Sequence, residues 1–549
     1  MNSVLMNILI FVMCLIIGAL FYFFPFFKKR KEINLKDYYK QEKARLLVSI
    51  ILTIGFISRT FLVDIFPGGL NQDEASAGYD AFAILKYGID RNGISNPIHL
   101  VAWGSGQNVL YSYFCMPFIA MFGLNVFSIR LPMGIIGSVS IYLIYRLLKD
   151  FYNHKVALIG MVFLIICPWH FMKSRWGLES NLFPDLVFIA FVLMTYGIKK
   201  DKSWLLYVAS FLFGLSSYSY GTSYFFLFFF VIGALVYLLI KKKITWIKAL
   251  ISVAIVGITS LPIILFIFVN VFDKEGFKFL WMSIPKLNED RFSAVTNIYS
   301  DNFFKTYFEN FKDGIKLILN QNDGLVYNNL PNFGALYLIS LPFTIFGLVQ
   351  NKENKTISSL MRIWLLVAVL LTGIVDANVN RINIVYFPLV FFTIIGVVEI
   401  IEYKVLIKKT VYAMYLAFFA FFNINYFGTY SSSIEDSFQD SYYKAVQYAL
   451  SIKDVNNYYV TSHVNMAYIY FLFESECNVN DYLDSVRYFN EGASFEVPLS
   501  YDNYTFYLPS NIERGNVYIV SVWDEDYKEM DLSSYSVTNF KYYYVINSK

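Results

Sequence analysis

The chain has 549 residues, of which 57% are hydrophobic and only 16% charged, and its mean hydropathy is +0.48. Soluble domains carry roughly 25% charged residues, so this composition points to lipid as the main solvent. The formal net charge of +4 carries little information, because placement matters more than the sum in a membrane protein, and no nucleic-acid partner is expected.

In chain order, the first apolar run, residues 4–27, lacks a basic leading segment and a small-residue cleavage site and ends at Lys28-Lys29-Arg30-Lys31. It reads as a spanning helix stopped by positive charge, not a cleaved signal. Further runs of near-spanning length lie at 46–66, 128–147, 155–172, 182–198, 204–220, 222–240, 247–270, 333–349, 357–375, 383–401 and 409–427. In lipid each satisfies its backbone only as a helix. The pattern predicts an all-α polytopic membrane protein with about 12 transmembrane helices.

Basic clusters recur at 28–45 (eight Lys/Arg), at Arg146, Lys149 and Lys155, at Lys199, Lys200 and Lys202, at Lys241–Lys243 with Lys248, at Lys352 and Lys355, and at Lys404, Lys408 and Lys409. Placing all six in the cytoplasm requires an even number of spans between neighbours. That holds only if the short run 109–123 does not cross but lies in the interface or re-enters. Both termini are then outside, together with loops 67–127, 173–181, 271–332 and 376–382. The expected location is the plasma membrane, with the polar loops extracytoplasmic.

The tail 428–549 alternates amphipathic segments (442–452, 466–474) with β-like runs (458–460, 517–522, 540–546), which predicts a small extracytoplasmic α/β domain. The expected organisation is 1–45, an extra N-terminal helix and basic loop; 46–427, a transmembrane catalytic domain; and 428–549, a soluble domain. Cys14, Cys115 and Cys167 lie in apolar segments and Cys477 stands alone, so no disulfide framework is implied. His99, His154, His170 and His463 have no metal-ligand spacing. No phosphate-binding Gly loop, dinucleotide fingerprint, nucleophile elbow or H-E-x-x-H occurs, leaving ATP-driven transport, dinucleotide chemistry and zinc proteolysis without support.

Four polar groupings fall on the predicted outer side. The first loop carries Asp73-Glu74 where an interfacial helix should start and run to Gly88. Asn71 as N-cap with Glu74 three residues on is a capping-box pattern, and Asp73 suits the positive helix end. The same carboxylate is also placed to take a proton from an acceptor hydroxyl. Adjacent helical side chains diverge by about 100°, so Asp73 and Glu74 divide these tasks. Next, Trp169-His170 to Asn181 holds Arg175 and Glu179. It reads either as an interfacial loop with a local Arg175–Glu179 pair, or as a second carboxylate, Glu179, with Arg175 and His170 available to an anion. Arg381, in Asp376–Arg381, either snorkels to lipid headgroups or clamps a phosphate through its planar fork. The turn Tyr218–Tyr224 reads as interface packing.

The runs D-E-A-S-A-G-Y-D-A-F-A-I-L-K-Y-G-I-D-R-N-G at 73–93, G-L-N-V-F-S-I-R-L-P at 123–132 and P-W-H-F-M-K-S-R-W-G-L-E-S-N-L-F-P at 168–184 resemble bacterial GT-C glycosyltransferases. The resemblance is to the dolichyl-phosphate-mannose protein mannosyltransferase and aminoarabinose transferase group. It covers roughly residues 46–430, and segment 321–331 and Arg381 also fit it. It implies a GT-C-like fold and an inverting transfer of a hexose or pentose from a polyprenyl phosphate to a protein, lipid or glycan hydroxyl. It also implies Asp73 as general base with Glu74 in support, and Arg381 on the leaving phosphate, with Lys86, His170 and Arg175 as further anion candidates. Where the mannosyltransferases usually have Asp in the second outer loop, this chain has Glu179, which would orient the acceptor or a cation; a divalent cation stays open as a cofactor. The extra N-terminal span and the tail depart from the family pattern. Two rivals are a polysaccharide polymerase or ligase, expected to rely on Arg and His in large loops, and a lipid-glycan transporter, expected to line its helices with ionisable residues at mid-depth. Here most charges cluster at span ends, with Arg59 and Asp64 the nearest exceptions.

Overall fold

A computed structural model describes residues 3–23, 35–289, 302–350, 355–527 and 532–548. The basic stop at 28–31 and Lys352 lie outside the described residues. Helices dominate: α1 (Ser3–Phe23), α2 (Leu35–Thr60), α3 (Gln72–Tyr87), α4 (Leu110–Phe122), α5 (Val126–Phe151), α6 (His154–Ile166), α7 (Pro168–Lys173), α8 (Glu179–Lys199), α9 (Ser203–Leu215), α10 (Ser223–Ile240) and α11 (Trp246–Val271). A hairpin, β1 (Phe277–Phe279) and β2 (Met282–Ile284), leads to α12 (Phe303–Asn320), α13 (Leu341–Gln350), α14 (Lys355–Leu371), α15 (Tyr386–Ile401) and α16 (Val405–Gly428).

Among the described residues, seven helices are long and apolar enough to cross a membrane: α1, α5, α8, α10, α11, α15 with the turn before it, and α16. The other predicted spans are shorter or more polar, and for one the reason is local. Proline disfavours helical backbone in the residue before it, and Cys167 is extended (φ −65°, ψ 118°) ahead of Pro168. The apolar run 155–172 therefore folds as the 13-residue α6 followed by the short α7. Run 109–123 becomes α4, whose 13 residues span roughly 20 Å at 1.5 Å per residue, short of the roughly 30 Å hydrocarbon core.

The chain divides into two compact units. The first comprises 1–66, 130–260 and 295–428, and is a helical bundle. Its α1 packs on α2 through polar contacts that the hydropathy pattern does not show. Asn7 Nδ2 donates to Asp64 Oδ1 at 2.8 Å and the Leu62 N–H donates to Asn7 Oδ1 at 2.7 Å, while Ser3 Oγ also reaches Asp64. Thus Asp64, a charge out of place in an apolar run, is satisfied by α1. Helices α13 and α15 pack backbone to backbone. A Cβ on Gly347 would collide with the Phe392 carbonyl, and one on Gly396 with that of Phe343. Close approach over small residues is how helices gain packing energy where lipid removes the hydrophobic drive.

The second unit comprises 67–129, 261–294 and 429–549. After two single-turn helices (Tyr430–Ser433, Glu435–Phe438) come α17 (Asp440–Ser451), β3 (Tyr458–Val460), α18 (Tyr468–Glu474), α19 (Val479–Ser485), β4 (Arg487–Tyr488), β5 (Pro498–Tyr501), β6 (Tyr504–Thr505), β7 (Val517–Ser521), β8 (Tyr535–Phe540) and β9 (Tyr543–Ser548). They build one mixed sheet in the order β4-β5-β6-β3-β7-β9-β8, with β3 parallel to β6 and β7. The tail is an α/β fold as its pattern predicts, with one correction. The run 540–546 is not one strand: Lys541 turns the chain at φ +62°, so Phe540 ends β8 and Tyr543 begins β9. Helix α18 packs against α3, so the tail supports the loop carrying the acidic pair.

Gly347→Val and Gly396→Val each force α13 and α15 apart. Each should destabilise the protein by roughly 1–3 kcal/mol, read as a lower apparent Tm of the detergent-purified chain, whereas Gly428→Val, whose Cβ meets nothing, should leave it near wild type.

Candidate active site

Asp73 sits in the first turn of α3, and the local sequence sets the geometry. Asn71 caps the helix: its Oδ1 accepts the Asp73 N–H at 2.9 Å, and the Glu74 carboxylate accepts the Asn71 N–H at 3.2 Å. Both halves of the capping box are present. Glu74 is fully buried, whereas Asp73 is half-buried. The chain before the cap is held by the tail. The Leu70 N–H donates to the Phe438 carbonyl at 2.7 Å, Asn71 Nδ2 to the Ser437 carbonyl at 2.8 Å, and Tyr470 Oη to the Leu70 carbonyl at 3.1 Å. Burial, then the charges of Asp73 and Glu74, raise the Tyr470 phenol well above its usual range, so it remains a donor. From the other side, Gln107 Nε2 donates to the Asp73 carbonyl at 3.3 Å. Both backbone polar groups of Asp73 are thus engaged by side chains.

Lys86 is not brought to this carboxylate. It lies in the last turn of α3, 13 residues or roughly 20 Å further along, exposed, with its ammonium over the Phe82 and Tyr87 rings at 5.0 and 5.5 Å.

The other predicted residues belong to the helical bundle. Glu179, buried, opens α8. Arg175 is buried as well, and its guanidinium caps the end of α2: Nη1 donates to the carbonyls of Ser58 (3.0 Å) and Phe61 (2.9 Å), and Nη2 to those of Leu62 and Phe66 (2.9 Å each). His170 is fully buried, with Nδ1 3.2 Å from Arg59 Nη2 and Nε2 3.6 Å from Asp185 Oδ1. A guanidinium only donates, so His170 Nδ1 accepts and the ring proton lies on Nε2, facing Asp185. That carboxylate also takes the Lys173 ammonium and the Ser140 hydroxyl at 2.6 Å. Arg175 and His170 are therefore committed to protein groups, not held open for an anion.

Arg381 is different. Its side chain is 25% exposed, and Nη1 contacts Asp376 Oδ2 at 3.2 Å, a carboxylate that is 89% exposed. The turn carrying it is fixed by Asp323, whose Oδ2 accepts the Val379 N–H at 2.8 Å and Asn328 Nδ2 at 2.6 Å. Asn383, two residues past Arg381, donates to the Ser180 carbonyl. The bundle thereby ties the Arg381 turn to the start of α8 next to Glu179. Sequence reasoning assigned no role to Gln107, Asp323, Asp185 or Lys173; Lys173 and Asp323 stand inside segments of the resemblance, but nothing in those segments signals the partners that the fold gives them. Among the described residues no group of three or more His, Cys, Asp or Glu could hold a metal ion.

The family profile of the dolichyl-phosphate-mannose-protein mannosyltransferases matches residues 107–269. That stretch includes His170, Arg175 and Glu179 but neither the acidic pair nor Arg381. The ArnT structure from Cupriavidus metallidurans bound to undecaprenyl phosphate matches with a TM-score of 0.58 at 11% identity, over 93% of this chain and 98% of that one. Its apo state gives 0.55 at 10% identity, over 92% and 98%. The chain has an ArnT-like fold. The likeness to the ArnT structures runs nearly end to end, whereas the likeness to the protein mannosyltransferases covers residues 107–269. The archaeal oligosaccharyltransferase AglB from Archaeoglobus fulgidus aligns more loosely, with a TM-score of 0.46 at 12% identity over 80% of this chain and 64% of that one. No curated protein sequence matches the chain.

The loop after α3 supplies a pH-dependent feature. Asp90 is fully buried; its Oδ1 accepts the N–H groups of Asn92 and Ile94 at 2.9 Å each. Burial, then the charge of Asp80, pushes its carboxyl up to about 7 from 3.8, against the opposing hydrogen bonds from the Ile94 and Asn92 N–H groups and the charge of Arg91. A carboxyl raised on folding holds its proton more tightly when folded, so its contribution is fully present below the unfolded value and is lost as pH rises through the folded one. Wild type should lose thermal stability between pH about 4 and about 7 relative to Asp90→Asn, which keeps the acceptor oxygen and cannot ionise. Parallel melting curves across that range test this.

Proposed function

We propose that the chain is a membrane glycosyltransferase that moves a hexose or pentose from a polyprenyl phosphate to a hydroxyl of a protein, lipid or glycan. The acceptor is met at the extracytoplasmic face of the plasma membrane. The observation that carries this reading is Asp73 itself: a half-buried carboxylate at a capped helix start, its backbone held on both sides. In the reaction, the acceptor oxygen attacks the anomeric carbon from the face opposite the phosphate and passes its proton to Asp73. The bond from that carbon to the phosphate oxygen breaks, and the electron pair leaves with the polyprenyl phosphate, so the configuration inverts. Glu74, buried and bonded to the cap, keeps the helix start in shape. Glu179 orients the acceptor.

Arg381 neutralises the phosphate as charge develops on it. Its present partner is an exposed carboxylate, and an exposed pair contributes about 0–1 kcal/mol, so a phosphate can displace it. The fold match to ArnT, whose structure holds undecaprenyl phosphate, supports the donor class. A lipid-linked donor needs only an apolar groove for its chain and polar groups at headgroup level, which suits a helical membrane protein without a nucleotide-binding motif.

The test is transfer by the purified protein from radiolabelled undecaprenyl-phosphate sugars. Asp73→Asn should lower kcat by about 10²–10⁴-fold, the range of a lost general base, and undiminished transfer in that variant would show the base assignment to be wrong. Arg381→Ala should raise the donor KM and lower kcat. Arg175→Lys, which loses the four-carbonyl cap, should instead lower the apparent Tm while the folded fraction keeps its kcat.

A further inference from the structure

The sequence of hydrogen bonds behind Asp73 has a direction. Arg91 is buried, and its Nη2 donates to Ser76 Oγ at 2.7 Å. A guanidinium cannot accept, so the Ser76 hydroxyl must turn its single proton elsewhere, and it donates to Gln107 Oε1 at 2.9 Å. That fixes the amide of Gln107: with its oxygen toward Ser76, its Nε2 faces the Asp73 carbonyl and donates to it at 3.3 Å. Arg91 is fixed in turn. Asp80 Oδ1 accepts its backbone N–H at 3.0 Å, Asp80 Oδ2 lies 3.7 Å from its Nε, and the guanidinium packs on the Trp103 ring at 4.3 Å. Positions 73, 76 and 80 share one face of α3, spaced three and four apart as helix neighbours are.

Resting on the assignment of Asp73 as base, we infer that Arg91, Ser76 and Gln107 form a positioning relay that locks the first turn of α3 and so aims the Asp73 carboxylate. Each of the three is a positioning residue, acting through Asp73. Arg91 sets the orientation of the Ser76 hydroxyl, Ser76 sets the amide of Gln107, and Gln107 anchors the backbone of the reacting residue. A base carried by a frayed helix turn would sample many positions, and a misplacement of about 1 Å can cost on the order of 10²-fold in rate.

The decisive variant is Gln107→Glu, which keeps the side-chain shape and the oxygen toward Ser76 but removes the donor to Asp73. Ser76→Ala breaks the relay one step earlier. In the full-length protein, with the undecaprenyl-phosphate sugar that wild type transfers, each should lower kcat about tenfold with donor KM within about twofold. The double variant should lose no more than the weaker single, because one relay is broken once. Hydrogen exchange followed by mass spectrometry should show faster exchange over residues 73–78 in both variants, with α18 unchanged. Unchanged kcat with unchanged exchange, or additive losses, overturns the relay. So does a fall in melting temperature with kcat of the folded fraction intact, which would mark a purely structural role. The exchange measurement needs no turnover. If Asp73→Asn transferred normally while the Gln107→Glu exchange increased, the base assignment would fall and the anchoring would stand.

Discussion

A helix that stops inside packed protein leaves its last carbonyls with no water to meet them, and in the helical bundle one buried guanidinium answers this for the end of α2 and the turn after it. Arg175 donates to four carbonyls, those of Ser58, Phe61, Leu62 and Phe66. An unpaired backbone group in an apolar setting costs several kcal/mol, and this single side chain removes that cost at Ser58 in α2 and at three carbonyls of the turn that follows it. Pro168 forces the neighbouring break between α6 and α7, and the segment after it carries Arg175 to those carbonyls. Glu179 follows four residues later at the start of α8. Much of the bundle's polar geometry is thus set by backbone satisfaction.

The same constraint, at the opposite helix end, shapes the turn that carries the proposed base. The first N–H groups of α3 need acceptors, and Asn71 and Glu74 supply the reciprocal cap. Capping and the proposed base role do not compete here because they fall on different carboxylates. Glu74 is buried in the cap; Asp73 is engaged through its backbone, and its carboxylate is half-buried at the positive end of the helix, where a negative charge is stabilised. The tail domain completes the arrangement. Phe438 and Ser437 hold Leu70 and Asn71, and Tyr470 of α18 holds Leu70.

What could be read from the sequence follows the range of the interactions. The cap of α3, its stop at Gly88 (φ +80°) and strand β3 are local, and their residue types signal them. The partners of Arg175 are 109–117 residues away along the chain, and those of Arg59 about as far. No periodicity encodes such pairs, so Arg175 and His170 looked like anion ligands when they are bonded to protein. The β8–β9 turn was hidden for a different reason: Lys541 and Tyr542 are not turn formers, and pairing along both strands overrides their preference. Asp64 looked like an exception in an apolar run until Asn7 and Ser3 supplied its partners.

The arginines show why residue type alone overstates a phosphate site. A bidentate grip needs two parallel N–H groups that the protein has not already taken. Arg175 has given both terminal nitrogens to four carbonyls, and Arg59 Nη2 donates to the carbonyls of Leu164 and Ile165 at 2.9 Å each. Arg91 has given Nη2 to Ser76, with its plane against Trp103. For these three, binding an anion would mean leaving a buried acceptor without its donor, a penalty of about 1–3 kcal/mol for each one. Arg381 faces no such penalty: its side-chain partners are the carbonyl and the carboxylate of Asp376 in a partly exposed turn, and water can replace its guanidinium on both. The candidate for phosphate binding is therefore selected by the bonds an arginine can surrender, and on that ground Arg381 stands apart from the buried arginines.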